Sequence, residues 1–374
     1  MHVAQNIDLT ARLLAWYAEH RRDLPWRRTG DPYHIWVAEV MLQQTQVTTV
    51  IPYYERFLAR FPTIETLSAA DLDAVLKLWE GLGYYARARH LHAAARQVVS
   101  EFQGQIPDTM QALSSLPGIG PYTAGAILSV AYGQDVVAPD GNVRRVLGRA
   151  FAIDQDVTRG KGKRQLWELA ASLLPSGRAG DFNQALMDLG ATVCTPRAPQ
   201  CHQCPLAQDC RAHQAGQEQE YPLRRPRRPV PHYEVTAGII WKNARPGDLA
   251  DQVDDGDRFL IAQRPAEGLL GGLWEFPGGK QEPGETLPAC LRRELAEELD
   301  IDVIVGTPLT VVPHAFTHFR ITLHAFHCYM ASGQPQAVGC ADWRWITLNE
   351  VERFAFSAAD HQIIAALRDA SSSP

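Results

Sequence analysis

The chain has 374 residues, enough for two domains of ordinary size. It is 45% hydrophobic and 21% charged, the balance of a soluble globular protein. No run nears the roughly 18 apolar residues of a membrane span, and the opening MHVAQNIDLT lacks the basic-then-apolar pattern of a signal peptide. The net charge of −6 is unevenly spread. Residues 1–231 carry 25 Lys+Arg against 22 Asp+Glu, and residues 232–374 carry 11 against 20. The first part suits contact with phosphates; the second is too acidic to be the main platform for nucleic acid.

In chain order, residues 8–20 (DLTARLLAWYAEH) space their apolar positions at helical intervals behind a cap at Asp8. The same pattern predicts helices over 34–50, 71–79, 84–101, 109–115, 121–132, 141–151 and 163–174. Short Pro- and Gly-containing loops divide them, so 1–210 reads as an all-α domain. Over 211–232 the periodicity stops, and the proline-stiffened stretch reads as a linker. Strand-like runs follow: VTAGIIW, RFLIAQR, FRITLHAFHCYM and DWRWITL, with one clear helix at 286–299. Residues 233–370 therefore read as a second, α+β domain. There is no internal repeat, and only the terminal SSSP reads as disordered.

Three features of the first domain carry chemistry. LPGIGPYTAG, 116–125, places two glycines two apart at a turn that opens a helix. Backbone N–H groups at such a helix start lack acceptors and suit a phosphate oxygen, although an ordinary helix joint has the same form. Asp140, in VVAPDGNVRRVLGR, precedes a helix and reads locally as an N-cap. Glu39 lies in an apolar helical stretch, near Trp36, Val40 and Leu42. Those surroundings disfavour its charged form and raise its pKa toward that of a general acid; the plainer reading is a helix-surface glutamate.

Cys194, Cys201, Cys204 and Cys210 have six, two and five residues between them. Four sulfurs this close suit zinc or an iron–sulfur cluster, not a disulfide framework, and point to a reducing compartment.

The hairpin and aspartate at this separation resemble the helix-hairpin-helix DNA glycosylase superfamily, whose members extrude a nucleotide from the stack to act on its base. EVMLQQTQV, GLGYYARARHLH, LPGIGPYTAG, PDGNVRRV and FNQALMDLGATVC, in this order over residues 8–210, resemble the adenine DNA glycosylase (MutY-type) family. The cysteine spacing resembles the loop that holds one four-iron four-sulfur cluster in endonuclease III and adenine glycosylases. The resemblance implies that Glu39 protonates N7 of a flipped adenine and that Asp140 stabilises an oxocarbenium-like sugar, in the two-carboxylate logic of glycoside cleavage. Tyr122 and Asn142 would support the sugar and Asp140. Trp26, Arg27 and Gln184 would form the adenine pocket, and Gln44 and Tyr84 would push into the stack. Gly118 and Gly120 would place backbone amides on a phosphate. Bifunctional relatives carry a lysine where Tyr122 stands, and many members carry one where Arg144 stands. With neither amine available to form a Schiff base, the chain reads as monofunctional.

EFPGGKQEPGETLPACLRRELAEELDI, 275–301, resembles the Nudix box. Glu294, Glu297 and Glu298 fall on one helix face, where they repel one another unless a cation such as magnesium sits among them. Glu285 and Arg293 would form the supporting ion pair. Asp300 stands where the box has its last glycine, at the expected left-handed end of the helix. In the adenine glycosylase family such a domain reads 8-oxoguanine, and its loop matches Phe316, Thr317 and His318 here. The resemblance implies a monomer acting on double-stranded DNA with 8-oxoguanine:adenine or guanine:adenine mispairs, in the cytoplasm and away from membranes. The alternative is a Nudix-type nucleotide diphosphate hydrolase working through residues 279–301.

Overall fold

The computed structural model describes residues 2–223, 229–242 and 256–371. Part of the expected linker, 224–228, and the tail residues 372–374 lie outside the described residues. The helices of the first part are α1 (His2–His20), α2 (Pro32–Leu42), α3 (Val47–Arg60), α4 (Ile64–Ser68), α5 (Leu72–Trp79), α6 (Ala86–Phe102), α7 (Met110–Ser114), α8 (Pro121–Val130), α9 (Gly141–Ala150), α10 (Gly160–Leu173), α11 (Ala179–Thr192) and α12 (Arg211–Gln214). There follow β1 (His232–Trp241), β2 (Arg258–Gln263), β3 (Trp274–Glu275), α13 (Leu287–Leu299), β4 (Ile301–Ala315), β5 (Arg320–Gly333), β6 (Asp342–Thr347) and α14 (Ala358–Ser371). By internal contact the chain divides into two compact units: Met1–Ala69 with His90–Arg227, and Ala70–Arg89 with Arg228–Pro374. Among the described residues, no helix is long and apolar enough to cross a membrane.

The first unit is all-α. Its core joins Leu13 and Tyr17 of α1 to Leu147 of α9, Leu166 of α10 and Phe182, Leu186 and Leu189 of α11. Each such burial contributes roughly 1.5–3 kcal/mol relative to exposure. Helix α2 starts where Asp31 accepts from the N–H groups of Tyr33 (2.8 Å) and His34 (3.4 Å), with Pro32 at its first position. Tyr33 and every residue from Ile35 to Met41 are buried. A helix apolar on all sides belongs inside a protein, and this is how Glu39 is carried away from water. Helix α8 is buried in the same way from Thr123 to Ser129.

The run 34–50 is not one helix. It breaks between α2 and α3, and Gln44 takes a left-handed backbone with φ 61°. QQTQ offers no apolar stripe to bury, so nothing holds that turn in the helical path. Helix α11 escaped the periodicity reading because Asn183 and Asp188 are buried polar residues within it.

The second unit is α+β. Its sheet runs β3-β2-β1-β5-β4, with β6 paired to β2, and it is mixed: β1 and β5 are parallel and the other pairs antiparallel. Helix α13 covers one face, with Leu291, Leu295 and Leu299 packed on Ile240, Leu260 and Cys328. Helix α14 packs Ile363, Ile364 and Leu367 into the core with Trp241, Phe259 and Phe356. Strand β4 went unread in the sequence because Pro308 and Pro313 interrupt its apolar pattern; its ladder to β5 shifts register near Pro308. The segment 70–89 belongs to this unit through polar ties. Lys77 Nζ donates to the Phe354 carbonyl at 2.9 Å, and Glu80 accepts from the Phe356 N–H and pairs with His361, both at 2.8 Å. Arg89 Nη1 donates to the Gly271 carbonyl at 2.6 Å.

Candidate active site

A cavity of about 750 Å³ opens within the first unit. Its walls include Glu39 from α2, Tyr122 from α8, Asp140 and Asn142 at the start of α9, and Gln184 from α11. Trp26 and Arg27, from the single turn Pro25–Arg27, and Gln44 complete it. Eight residues singled out by sequence therefore meet at one place, although they span more than 150 positions.

Glu39 is 7% exposed, which removes the helix-surface reading. Burial pushes its carboxyl up to about 7; the Tyr122 hydrogen bond and the Arg27 charge pull the other way, and Asp140 adds to the rise. Tyr122 donates its hydroxyl to Glu39 Oε2 at 2.5 Å. Burial and the neighbouring carboxylates hold the Tyr122 hydroxyl well above its ordinary range, so it keeps its proton and remains the donor.

Asp140 is both cap and cavity residue. Its Oδ1 accepts from the Val143 N–H at 2.7 Å, and its Oδ2 from Asn142 Nδ2 at 2.8 Å. Burial raises its pKa, and these hydrogen bonds and Arg145 offset part of the rise. Asn142 in turn accepts from Arg145 Nη2 at 2.8 Å. The same guanidinium donates to the carbonyls of Gly190 and Cys194, each at 2.7 Å. A continuous hydrogen-bonded path thus links the cysteine loop to Asp140. It depends on a close approach of α11 to α9, since a Cβ added at Gly190 would lie 2.5 Å from the Asn142 Cβ. Gly190→Ala is expected to cost about 1–3 kcal/mol by overpacking. Thermal denaturation with a midpoint equal to wild type would sink this reading of the contact.

Arg145 and Asp188 were missed in the sequence. Asp188 lies one turn from Gln184 on α11, and i,i+4 spacing on a cavity-facing helix is the signal that would have found it. Gly118 and Gly120 sit at the hairpin before α8. Gly118 has φ 75°, and a Cβ there would meet the His90 Cβ at 2.6 Å, so this turn requires glycine. Gly120 is the extended N-cap of α8.

The four cysteines are all half-buried, and no disulfide joins them. Burial pushes Cys204 up to about 12 and Cys201 up to about 11; Glu218 and then the neighbouring sulfurs raise Cys201 further, and the sulfurs raise Cys204. Such a group becomes thiolate against strong positive charge, of the kind that a bound metal supplies. Among the described residues, Cys201, His213 and Glu218 bring ligand-type atoms within 4.8 Å of one another. Cys194 Sγ accepts from Arg149 Nη1 at 3.4 Å, an interaction of the kind that tunes iron–sulfur clusters.

The remaining candidates lie in the second unit. Tyr84 is exposed, has φ 50°, and its hydroxyl is 2.8 Å from Thr317 Oγ1. Phe316, Thr317 and His318 form the tip of the β4–β5 hairpin, closed by the Phe316 N–H on the Phe319 carbonyl at 2.9 Å. The Phe316 ring packs on His314 and Phe319, with centroids at 4.6 and 4.7 Å, and Thr317 and His318 are exposed. On α13, Arg293 pairs with Glu285 at 3.0 Å, Glu294 at 2.9 Å and Glu297 at 3.2 Å. Among the described residues, the buried Glu298 Oε2 has no hydrogen-bond partner, and burial pushes that carboxyl up to about 7. Asp300 takes the left-handed backbone expected there, φ 55° and ψ 40°.

Three family models match the chain: an HhH-GPD superfamily base excision DNA repair protein over residues 37–172, the iron-sulfur binding domain of endonuclease III over 194–210, and a NUDIX domain over 252–366. The adenine DNA glycosylase of Homo sapiens is 38% identical over 96% of this chain and 73% of its own length. That of Rattus norvegicus is 39% identical over 96% and 78%, and that of Schizosaccharomyces pombe 32% identical over 93% and 84%. Among solved structures, a thermostable thymine-DNA glycosylase is similar at 32% identity and TM-score 0.53, over 57% of this chain and 99% of that one. An endonuclease III–DNA covalent intermediate, at 21% identity and TM-score 0.51, has the same fold in the first part of the chain. With its helical glycosylase part, iron–sulfur loop and Nudix part in this order, the chain belongs to the adenine DNA glycosylase family and is a DNA N-glycosylase of base excision repair.

Proposed function

We propose that this glycosylase removes adenine opposite 8-oxoguanine or guanine in duplex DNA, without a strand-cleaving step. The observation that carries the reading is the pair Glu39 and Asp140 on one cavity, the first buried and hydrogen-bonded to Tyr122. Glu39 gives its proton to N7 of the extruded adenine. The bond from N9 to the sugar then breaks, with its electron pair leaving on the base. Asp140, charged and held by Val143 and Asn142, stabilises the positive sugar until water adds and leaves an abasic site. Trp26, Arg27 and Gln184 hold the base. Gly118 and Gly120 offer amides to a phosphate. Gln44 and Tyr84 fill the stack, both on left-handed backbone of the kind that collects at functional sites. Phe316, Thr317 and His318 read the opposite base. Cys194, Cys201, Cys204 and Cys210 hold one four-iron four-sulfur cluster, which stiffens the loop tied to Asp140 through Arg145. We assign 1–210 to the glycosylase domain, 211–232 to a linker and 233–370 to lesion reading, in a protein acting as a monomer on DNA.

A second reading is favoured by one observation. Glu294, Glu297 and the unpartnered oxygen of Glu298 present hard ligands on one helix face, as a magnesium site requires. The two readings separate in one set of assays. Adenine release is measured from an 8-oxoguanine:adenine duplex and from an adenine:thymine duplex. Release of pyrophosphate from 8-oxo-dGTP with magnesium is measured on the same preparation and on Glu297→Gln. We expect release from the mispair only, and no hydrolysis. Equal release from both duplexes would overturn the lesion reading. Hydrolysis lost in Glu297→Gln with adenine release kept would make residues 279–301 a second active site.

A further inference from the structure

We propose that Asp188 is a positioning residue of the adenine cavity: it fixes the Arg27 guanidinium in the wall and cancels part of the charge that Arg22 and Arg27 bring toward Glu39. Asp188 lies on α11 with no exposed surface. Its Oδ1 accepts from Arg22 Nε at 2.7 Å and Arg27 Nη2 at 2.9 Å, and its Oδ2 from Arg27 Nη1 at 2.6 Å and the Arg22 N–H at 3.1 Å. Arg22 Nη2 adds an ion contact of 2.6 Å. Arg27 Nη1 also donates to the Arg22 carbonyl at 3.1 Å. A planar guanidinium held on both forks by one carboxylate has a single orientation. Its carboxylate reaches the cavity through these two arginines, which line it.

The charge balance decides what this arrangement does. Two guanidiniums and one carboxylate leave one net positive charge beside the cavity in place of two. Positive charge near Glu39 favours its carboxylate and strips it of the proton it has to donate. The other groups facing Glu39 are Tyr122 from α8, which donates to it, Asp140 from the start of α9, whose charge opposes ionisation, and Arg144 and Arg145 of α9, which line the same cavity. Tyr17 of α1 lies under Arg27, with the guanidinium 5.8 Å from its ring centroid. Within this set, Asp188 is the group that offsets Arg22 and Arg27 directly. Burial alone does not explain its value to the protein, since replacing a buried ion network by apolar packing is often neutral or stabilising.

The inference rests on Glu39 being the proton donor, and the experiment separates the two claims. Single-turnover adenine release is followed from pH 5 to 9 for wild type, Glu39→Gln, Asp188→Asn, Asp188→Glu and Arg22→Gln, each with its iron content checked. In wild type the rate falls on the alkaline side as Glu39 loses its proton. Asp188→Asn is expected to move that limb down by about 0.5–1 pH unit, since it leaves two uncompensated guanidiniums. Asp188→Glu should bring it back. Arg22→Gln removes one positive charge and should move the limb the opposite way, to higher pH. Arg22 is partly exposed, so this variant decides the matter alone if Asp188→Asn fails to fold. A wild-type limb that neither Asp188→Asn nor Arg22→Gln displaces, with rates scaled equally at every pH, would overturn the role of Asp188 and leave Glu39 untouched. A limb that persists in Glu39→Gln would instead overturn the proton-donor reading itself.

Discussion

Glu39→Gln is expected to bind duplex DNA as wild type does and to release adenine about 100- to 10,000-fold more slowly in single turnover, the contribution of a positioned general acid. The glutamine matches the shape of the carboxyl and still accepts from the Tyr122 hydroxyl, so the packing of α2 against α8 survives. Only the transferable proton is gone. The pH profile gives an independent check on the same residue. On the proposed mechanism Glu39 must be protonated to act, and burial places its pKa at about 7. The protonated fraction, and with it the rate, falls as pH rises through that value, by about tenfold for each unit beyond it. On the same mechanism Asp140 must be charged to act. Its pKa is raised from the ordinary value, so the rate falls on the acid side as pH drops through that raised value. The profile is therefore bell-shaped, and Glu39→Gln removes the alkaline limb. A variant within tenfold of wild type, or one that keeps this limb, would take the proton transfer away from Glu39.

Much of this site was legible in the sequence, and the reason is chemical. Glu39 announces itself by being a carboxylate in an apolar helical run, and α2 proves to be apolar on every side. Asp140 announces itself as a cap; the Val143 N–H bond makes it one, and the Asn142 side-chain amide holds its second oxygen at the cavity. The hairpin, the cysteine loop and the acidic helix α13 are local patterns whose spacing survives without knowledge of the fold. What could not be read is whatever depends on distance across the fold. Asp188 meets Arg22 and Arg27 from some 160 positions away, and its i,i+4 spacing from Gln184 marks the helix face without marking these partners. The break at Gln43–Gln46 was likewise invisible, because a polar run between two helical patterns carries no signal about which side of it is buried. The attachment of 70–89 to the second unit depends on backbone carbonyls at Phe354 and Gly271, which every residue type possesses.

Asp140→Asn should prove the second severe loss, about 100- to 1,000-fold in single-turnover adenine release, on the scale of removing one preorganised electrostatic stabiliser. The substitution is chosen to separate two roles that coincide in this side chain. As an N-cap, asparagine is about as good as aspartate, so the start of α9 and the hydrogen bond from the Val143 N–H are kept. As a stabiliser of a positive sugar it is poor, because the full negative charge is lost. The single amide oxygen stays with the Val143 N–H, so Asn142 Nδ2 loses its acceptor at a cost of about 1 kcal/mol. Melting temperature is thus expected to fall only slightly and iron content to stay at the wild-type level while catalysis disappears. A large fall in both stability and rate would mean that capping, and with it the path through Asn142 and Arg145 to the cysteine loop, is the main business of Asp140. An unchanged rate in a stable protein would remove Asp140 from the chemistry, leaving Glu39 to act without a partner across the sugar.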